Sequence, residues 1–82
     1  MGMQKHFAIT IEESFGWLDY IGYHFAEMDG STVVVFESAM SIEESVSLDR
    51  VLNSDGFNVS IHLEATEDAP FGHIEFHPVY YR

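Results

Sequence analysis

The sequence predicts a small α+β domain, a four-stranded mixed sheet with two helices on one face and the other face open, in the order βαβαββ. Three observations carry that expectation. Period-two alternation of apolar and polar residues near both ends of the chain marks strands. The stretch 10–30 divides into an apolar and an acidic side when wound at about 100° per residue. Two boxes of the form S/T-x-x-E, Thr10 with Glu13 and Ser41 with Glu44, have the spacing of helix starts. Eighty-two residues leave room for one core, so 1–82 is read as a single acidic domain, with residues 1–4 expected to be flexible.

Taken in order, 5–10 alternates with Phe7 and Ile9 on one side, a half-buried first strand. Thr10 then opens a helix that Asp29-Gly30 closes, glycine being the residue that accepts the left-handed conformation past a helix end. Ile11, Phe15, Leu18, Ile21, Phe25 and Met28 would share its buried side, with Trp17 at the edge. The same residues admit a second reading. Asp-Gly is also a strong two-residue hairpin signal, Gly16 and Gly22 each cost a helix about 1 kcal/mol, and Tyr and Phe favour strands. A β-hairpin over 17–38 would then give a mainly antiparallel five-stranded sheet with one helix.

Residues 31–38 form the next strand, apolar on both faces through Val33, Val34, Val35 and Phe36, as a central strand is. Ser41 starts a helix that runs to about Asn53 and ends at Asp55-Gly56. The last two strands, 57–65 and 72–80, alternate strictly and are joined by a short polar link, so they pair as an antiparallel hairpin. The order βαβαββ resembles that of the C-terminal domain of translation initiation factor three and of the Alba-type proteins. Those folds serve nucleic-acid binders with basic surfaces, and this chain has the opposite sign.

Charge is the outlier of the composition. Fourteen Asp and Glu stand against three Lys and Arg, a formal net charge of −11, while apolar residues at 46% suffice for a core. One-signed charge of this size repels nucleic acid and anionic membranes and attracts basic protein surfaces. With no cysteine, disulfides and thiolate metal sites are excluded. No apolar run approaches the roughly 18 residues of a membrane span, and the start MGMQKHF lacks the apolar segment of a signal peptide. His6 replaces the Ser or Thr that myristoylation of Gly2 would need. The expectation is a cytoplasmic chain, in the host cytoplasm if phage-encoded.

No nucleophile elbow, phosphate-cradling glycine loop or concave acid–base pair can be read from the sequence, so an enzyme is not expected and no cofactor is implied. The charge points instead to a binding inhibitor. Its acidic, tyrosine-bearing surface would occupy the basic nucleic-acid site of a partner protein. Glu12, Glu13, Asp19, Tyr20, Tyr23 and Glu27 are the first candidates, with Glu43, Glu44 and Asp49 extending the patch. In size and charge the chain is similar to small acidic phage proteins of the anti-restriction and anti-CRISPR type. An immunity protein for a basic nuclease follows from the same physics. A module that self-associates through the open sheet or an edge strand, helped by Val79, Tyr80 and Tyr81, is the alternative.

The last hairpin carries the sharpest local pattern. With the turn centred near Asp68, His62 faces Glu75, Glu64 faces His73 and Ser60 faces His77. His62, Glu64, His73, Glu75 and His77 would then offer imidazole and carboxylate donors on one sheet face. These are zinc-ligand types, although weak solvated pairs are the commoner outcome of such a pattern.

Overall fold

The computed structural model describes residues 3–14, 16 and 21–77. It is an α+β fold with helix α1 (Met3–Ser14), strands β1 (Tyr23–Met28) and β2 (Ser31–Phe36), helix α2 (Ile42–Ser54), and strands β3 (Val59–His62) and β4 (His73–Phe76). The four strands form one sheet in the order β1-β2-β4-β3, every neighbouring pair antiparallel. The class is the one expected; the element order αββαββ and the all-antiparallel pairing are not. The resemblance to the two βαβαββ folds therefore falls with the order that carried it.

Two corrections account for the difference. Residues 5–10 are helical, not a strand. Phe7, Thr10 and Ile11 lie at i, i+3 and i+4 and are all buried, whereas Ile9, which the strand reading placed beside Phe7, is 45% exposed. Thr10 is not a helix cap but an interior helical residue, and its hydroxyl donates to Asp55 at 3.1 Å, tying α1 to the end of α2. Helix α1 begins at Met3, inside the segment expected to lie ahead of the fold.

The second correction lies at Asp29-Gly30, which is a hairpin turn rather than a helix terminus. Asp29 has φ 52° and Gly30 φ 81°, the paired positive values of the two-residue turn whose twist matches antiparallel strands. Around it β1 and β2 pair from Met28↔Ser31 to Tyr23↔Phe36. Apolar residues on both sides of β1 argued for a helix. Both sides are in fact used: Tyr23 and Phe25 pack toward the helices, and Ala26 and Met28 pack on the opposite face. The hairpin alternative named the right structure here, although the strands run over 23–36 rather than 17–38, and the described residues hold four strands and two helices rather than five and one.

Helix α2 stands as expected. Ser41 Oγ accepts from Glu44 N–H at 3.0 Å, and Ser41 N–H donates to the Glu44 carboxylate at 2.8 Å, a complete capping box. At its other end Gly56 N–H and Phe57 N–H donate to the carbonyls of Asn53 and Leu52 at 3.4 and 3.1 Å. Phe57 and Leu52 both enter the core, so the local stop signal and the packing agree.

Both helices cover one face of the sheet. Phe7 and Ile11 of α1 and Leu48 and Leu52 of α2 meet Val34, Phe36, Val59 and Ile74 in a single cluster. Phe7 is its hub, fully buried, with its ring edge-on to Tyr23, Phe25, Phe57 and Phe76 at 5.6 to 5.8 Å between centroids. Strand β2 is buried on both faces, as a central strand is: Val33 and Val35 join Ala69 in a second cluster on the far side. Ala69 comes from the β3–β4 connection, which folds back over this face. The face opposite the helices is therefore partly covered, not open.

Candidate functional site

The face away from the helices presents two rows across the sheet. One runs His24, Val35, His73, His62 across β1, β2, β4 and β3; the next runs Ala26, Val33, Glu75, Ser60. Strand alternation places His62, His73, Glu75 and His77 on this face, as expected.

The register of the final hairpin differs from the one expected. His62 pairs with His73 and Ser60 with Glu75, a slip of two residues. An even slip keeps every side chain on its face but changes its neighbours. Its cause is the link: the Thr66 hydroxyl accepts from Ala69 N–H at 3.0 Å, Thr66 N–H donates to the Ala69 carbonyl at 3.1 Å, and Gly72 N–H donates to that same carbonyl at 3.1 Å. These bonds hold 66–72 in a folded turn. Glu64 consequently lies beyond the end of β3, exposed and outside the cluster.

The slip stacks two imidazoles. The rings of His62 and His73 lie 5.0 Å apart at 19° to one another. His73 sits on the inner strand β4 and is buried, with its side chain 9% exposed; that of His62 is 41% exposed. Both direct Nε2 at one oxygen of Glu75, His73 at 3.1 Å and His62 at 3.5 Å. The shorter contact is a hydrogen bond in which the His73 ring nitrogen donates. That bond holds the Glu75 carboxyl below the ordinary carboxylate range; burial opposes it, and His62, His73 and His77 add to it by charge. His62 Nε2 and His73 Nδ1 are both buried without a hydrogen-bond partner among the described residues. His77 bonds instead to Ser60, Nε2 to Oγ at 2.7 Å. A cavity of about 260 Å³ opens beside the cluster, with Met28, Val33, His73, Glu75 and His77 among its lining residues.

The acidic residues do not form the single helical stripe expected of them. Glu12 and Glu13 are exposed on α1, Glu43 and Asp49 on α2. Glu27 is exposed on β1, where its carboxylate accepts from the Thr32 hydroxyl at 2.7 Å. Glu44 is half-buried and engaged in the capping box. Tyr23 is half-buried, its ring turned to the core and edge-on to Phe7 at 5.6 Å. Asp19 and Tyr20 lie outside the described residues, as do Trp17, Val79, Tyr80 and Tyr81. What the fold does is gather the acids differently: both helices cover the same sheet face, and Glu27 shares the strand parity of Tyr23 and Phe25, so all these carboxylates belong to the helical side.

Two features escaped the sequence reading. The β3–β4 link folds over the sheet through Ala69, for which no local signal exists beyond a polar loop. His24 pairs with Glu37 at 2.9 Å across the sheet edge, legible only once 23–36 is recognised as a hairpin. Among the described residues, no helix is long and apolar enough to cross a membrane. Compared with known protein families, with curated proteins and with solved structures, the chain matches none.

Proposed function

We propose that this chain is a non-catalytic binding inhibitor whose acidic helical side occupies the basic nucleic-acid-binding site of a partner protein, in the manner of phage anti-restriction or anti-CRISPR proteins acting in the cytoplasm. The observation that carries it is the disposition of charge. Of the thirteen carboxylates within the described residues, eleven are exposed and only Glu44 and Glu75 are half-buried. Against fourteen acids the whole chain has three Lys and Arg, so neither internal pairing nor mixed surface charge neutralises this shell. Like-charge repulsion of this kind is relieved when a cationic partner binds. Glu12 and Glu13 on α1, with Glu43 and Asp49 on α2, give such a partner a rigid carboxylate array on two helices packed against one sheet. The partner is a protein, not nucleic acid, and neither a cofactor nor a membrane enters this reading.

The test is capture of partners by the tagged chain from nuclease-treated prokaryotic lysate at low salt, followed by elution with salt and with heparin. A basic nucleic-acid enzyme, displaced by heparin and no longer retained by the variant carrying Glu12→Lys, Glu13→Lys, Glu43→Lys and Asp49→Lys, is the expected result. Retention indifferent to salt, heparin and charge reversal would sink the proposal.

A second reading is favoured by one observation. Ile42 is 74% and Val46 50% exposed, one turn apart on α2. Such a pair would suit a helix-mediated homodimer, and light scattering on the isolated chain distinguishes the two.

A further inference from the structure

We propose that His62, His73 and Glu75 form a three-ligand zinc site on the sheet face opposite the helices, with its fourth coordination position open toward the adjoining cavity. Four observations converge on it. One ligand atom from each of the three residues lies within 4.8 Å of the other two. The two separations to the carboxylate, 3.1 and 3.5 Å, match the edge of a zinc tetrahedron, about 3.3 Å for bonds of about 2.0–2.1 Å. The remaining edge, between the imidazoles, is within 4.8 Å and would have to shorten by a turn of His62, the more exposed of the two rings. The third observation is an unmet need: His62 Nε2 is buried without a partner while it faces an oxygen already taken by His73. A cation held between the two imidazole nitrogens and the carboxylate would give that nitrogen a partner and satisfy all three atoms at once.

The fourth observation concerns rigidity. His73 is held on the inner strand between β2 and β3, more than nine-tenths buried, so one ligand is fixed before any metal arrives. Glu75 is two residues along the same strand and therefore on the same face. Glu64, the donor that the slipped register removed, is not part of the site. His77 is committed to Ser60, which leaves the fourth position to water or to a group entering the cavity.

The donor set narrows the metal to a borderline transition ion, of which zinc is the one tested. Magnesium and calcium require oxygen ligands, whereas two imidazoles and a carboxylate suit zinc, the borderline ion that binds N and O donors tetrahedrally. The site lies on the face opposite the acidic helical side, so zinc binding and the partner binding proposed above are separable.

The experiment is titration of Zn²⁺ into the full chain, freed of metal by chelator, by calorimetry near neutral pH. One zinc per chain with a Kd of about 1 μM or tighter is expected. His62→Gln and Glu75→Gln should each weaken it by roughly tenfold or more, with far-UV circular dichroism confirming that each variant is folded. His24→Gln, at the other histidine–glutamate pair, should change nothing. Co²⁺ supplies a measurement on the unaltered chain: the strong visible absorption of a four-coordinate ion is expected rather than the pale spectrum of the hydrated one. Zinc weaker than about 10 μM, affinity unmoved by His62→Gln, equal loss in His24→Gln, or only the hydrated cobalt spectrum would each overturn the assignment.

Discussion

The two faces of the sheet are made from alternate residues of the same four strands and are finished in different ways. Toward the helices, β1, β2, β3 and β4 contribute Tyr23, Phe25, Val34, Phe36, Val59, Ile74 and Phe76, and the Phe7 ring closes the layer from above. On the other side the same strands place Val33 and Val35 beside His73 and Glu75, and the cover is a ten-residue link rather than a helix. The first face has the means to be packed tight. The second holds two imidazoles competing for one carboxylate oxygen. Stability is concentrated on the aromatic face and unsatisfied chemistry on the imidazole face, which implies that they respond to substitution independently.

The sharpest way to test that independence is to damage the aromatic face. Phe7→Ala removes the ring that touches four others and leaves a cavity at the centre of the core, so it should cost about 3–5 kcal/mol. For a domain this short that is a large share of the total stability, and urea unfolding should show the midpoint falling steeply. A loss below about 1 kcal/mol would mean that α1 is not seated on the sheet as described.

Gly72→Ala strikes the second face through the backbone. Gly72 has φ 100°, and an added Cβ would stand 2.5 Å from the His62 carbonyl oxygen, where neither partner is a flexible side-chain end. The strained conformation alone costs about 1–3 kcal/mol, and relieving the contact must shift β3 against β4. The expected outcome is a stability loss of about 2 kcal/mol together with weakened zinc binding. Unaltered zinc affinity in a clearly destabilised variant would show that the metal site does not depend on this register.

How much of each face was legible follows the range of the interactions that build it. The α2 boundaries are readable because each end is set locally: Ser41 bonds to Glu44 three residues on, and Gly56 bonds back to Asn53 three residues before it. Strand β2 was readable because four consecutive apolar residues leave few other places for it. Residues 5–10 are ambiguous in sequence because Phe7, Ile9 and Ile11 satisfy period two as well as Phe7 and Ile11 satisfy period 3.6, and the exposure of Ile9 with the burial of Thr10 against Asp55 decides between them. The hairpin at Asp29-Gly30 is hard to prefer over a helix from sequence because both sides of β1 are apolar, and the far side is used only when Val33 and Val35 lie beside it and Ala69, about forty residues on, folds over them. For the candidate site, alternation gave the correct face for His62, His73, Glu75 and His77. The turn that sets their register depends on Thr66 bonding to Ala69, which the sequence permits without requiring, and Glu64 was lost with it.

Ser41→Ala probes a region that touches neither face closely. It removes the side-chain half of the capping box, so about 1 kcal/mol should be lost by thermal or urea unfolding. Zinc affinity should stay as in the unaltered chain, which makes this variant the control for the two above. A coupled fall in zinc binding would show that helix stability is transmitted to the far side of the sheet.

The smallest expected effect is the pH response of Glu75, and its sign separates two descriptions of the imidazole face. The hydrogen bond from His73 holds this carboxyl below its ordinary value of 4.5, with burial pulling the other way. A carboxyl depressed in the folded state stabilises the fold fully above its ordinary range, and that contribution is lost as pH falls through the depressed folded value. Glu75 is 43% exposed, so solvent screening limits the contribution to about a few tenths of a kcal/mol. The metal-free chain and Glu75→Gln, unfolded in urea at a series of acid pH values, should therefore differ most above the ordinary carboxyl range and converge as pH falls beneath it. A gap that widened on acidification would mean that the protonated carboxyl is the favoured form. Desolvation would then outweigh the bond from His73, and the carboxylate would be poorly prepared to receive a cation.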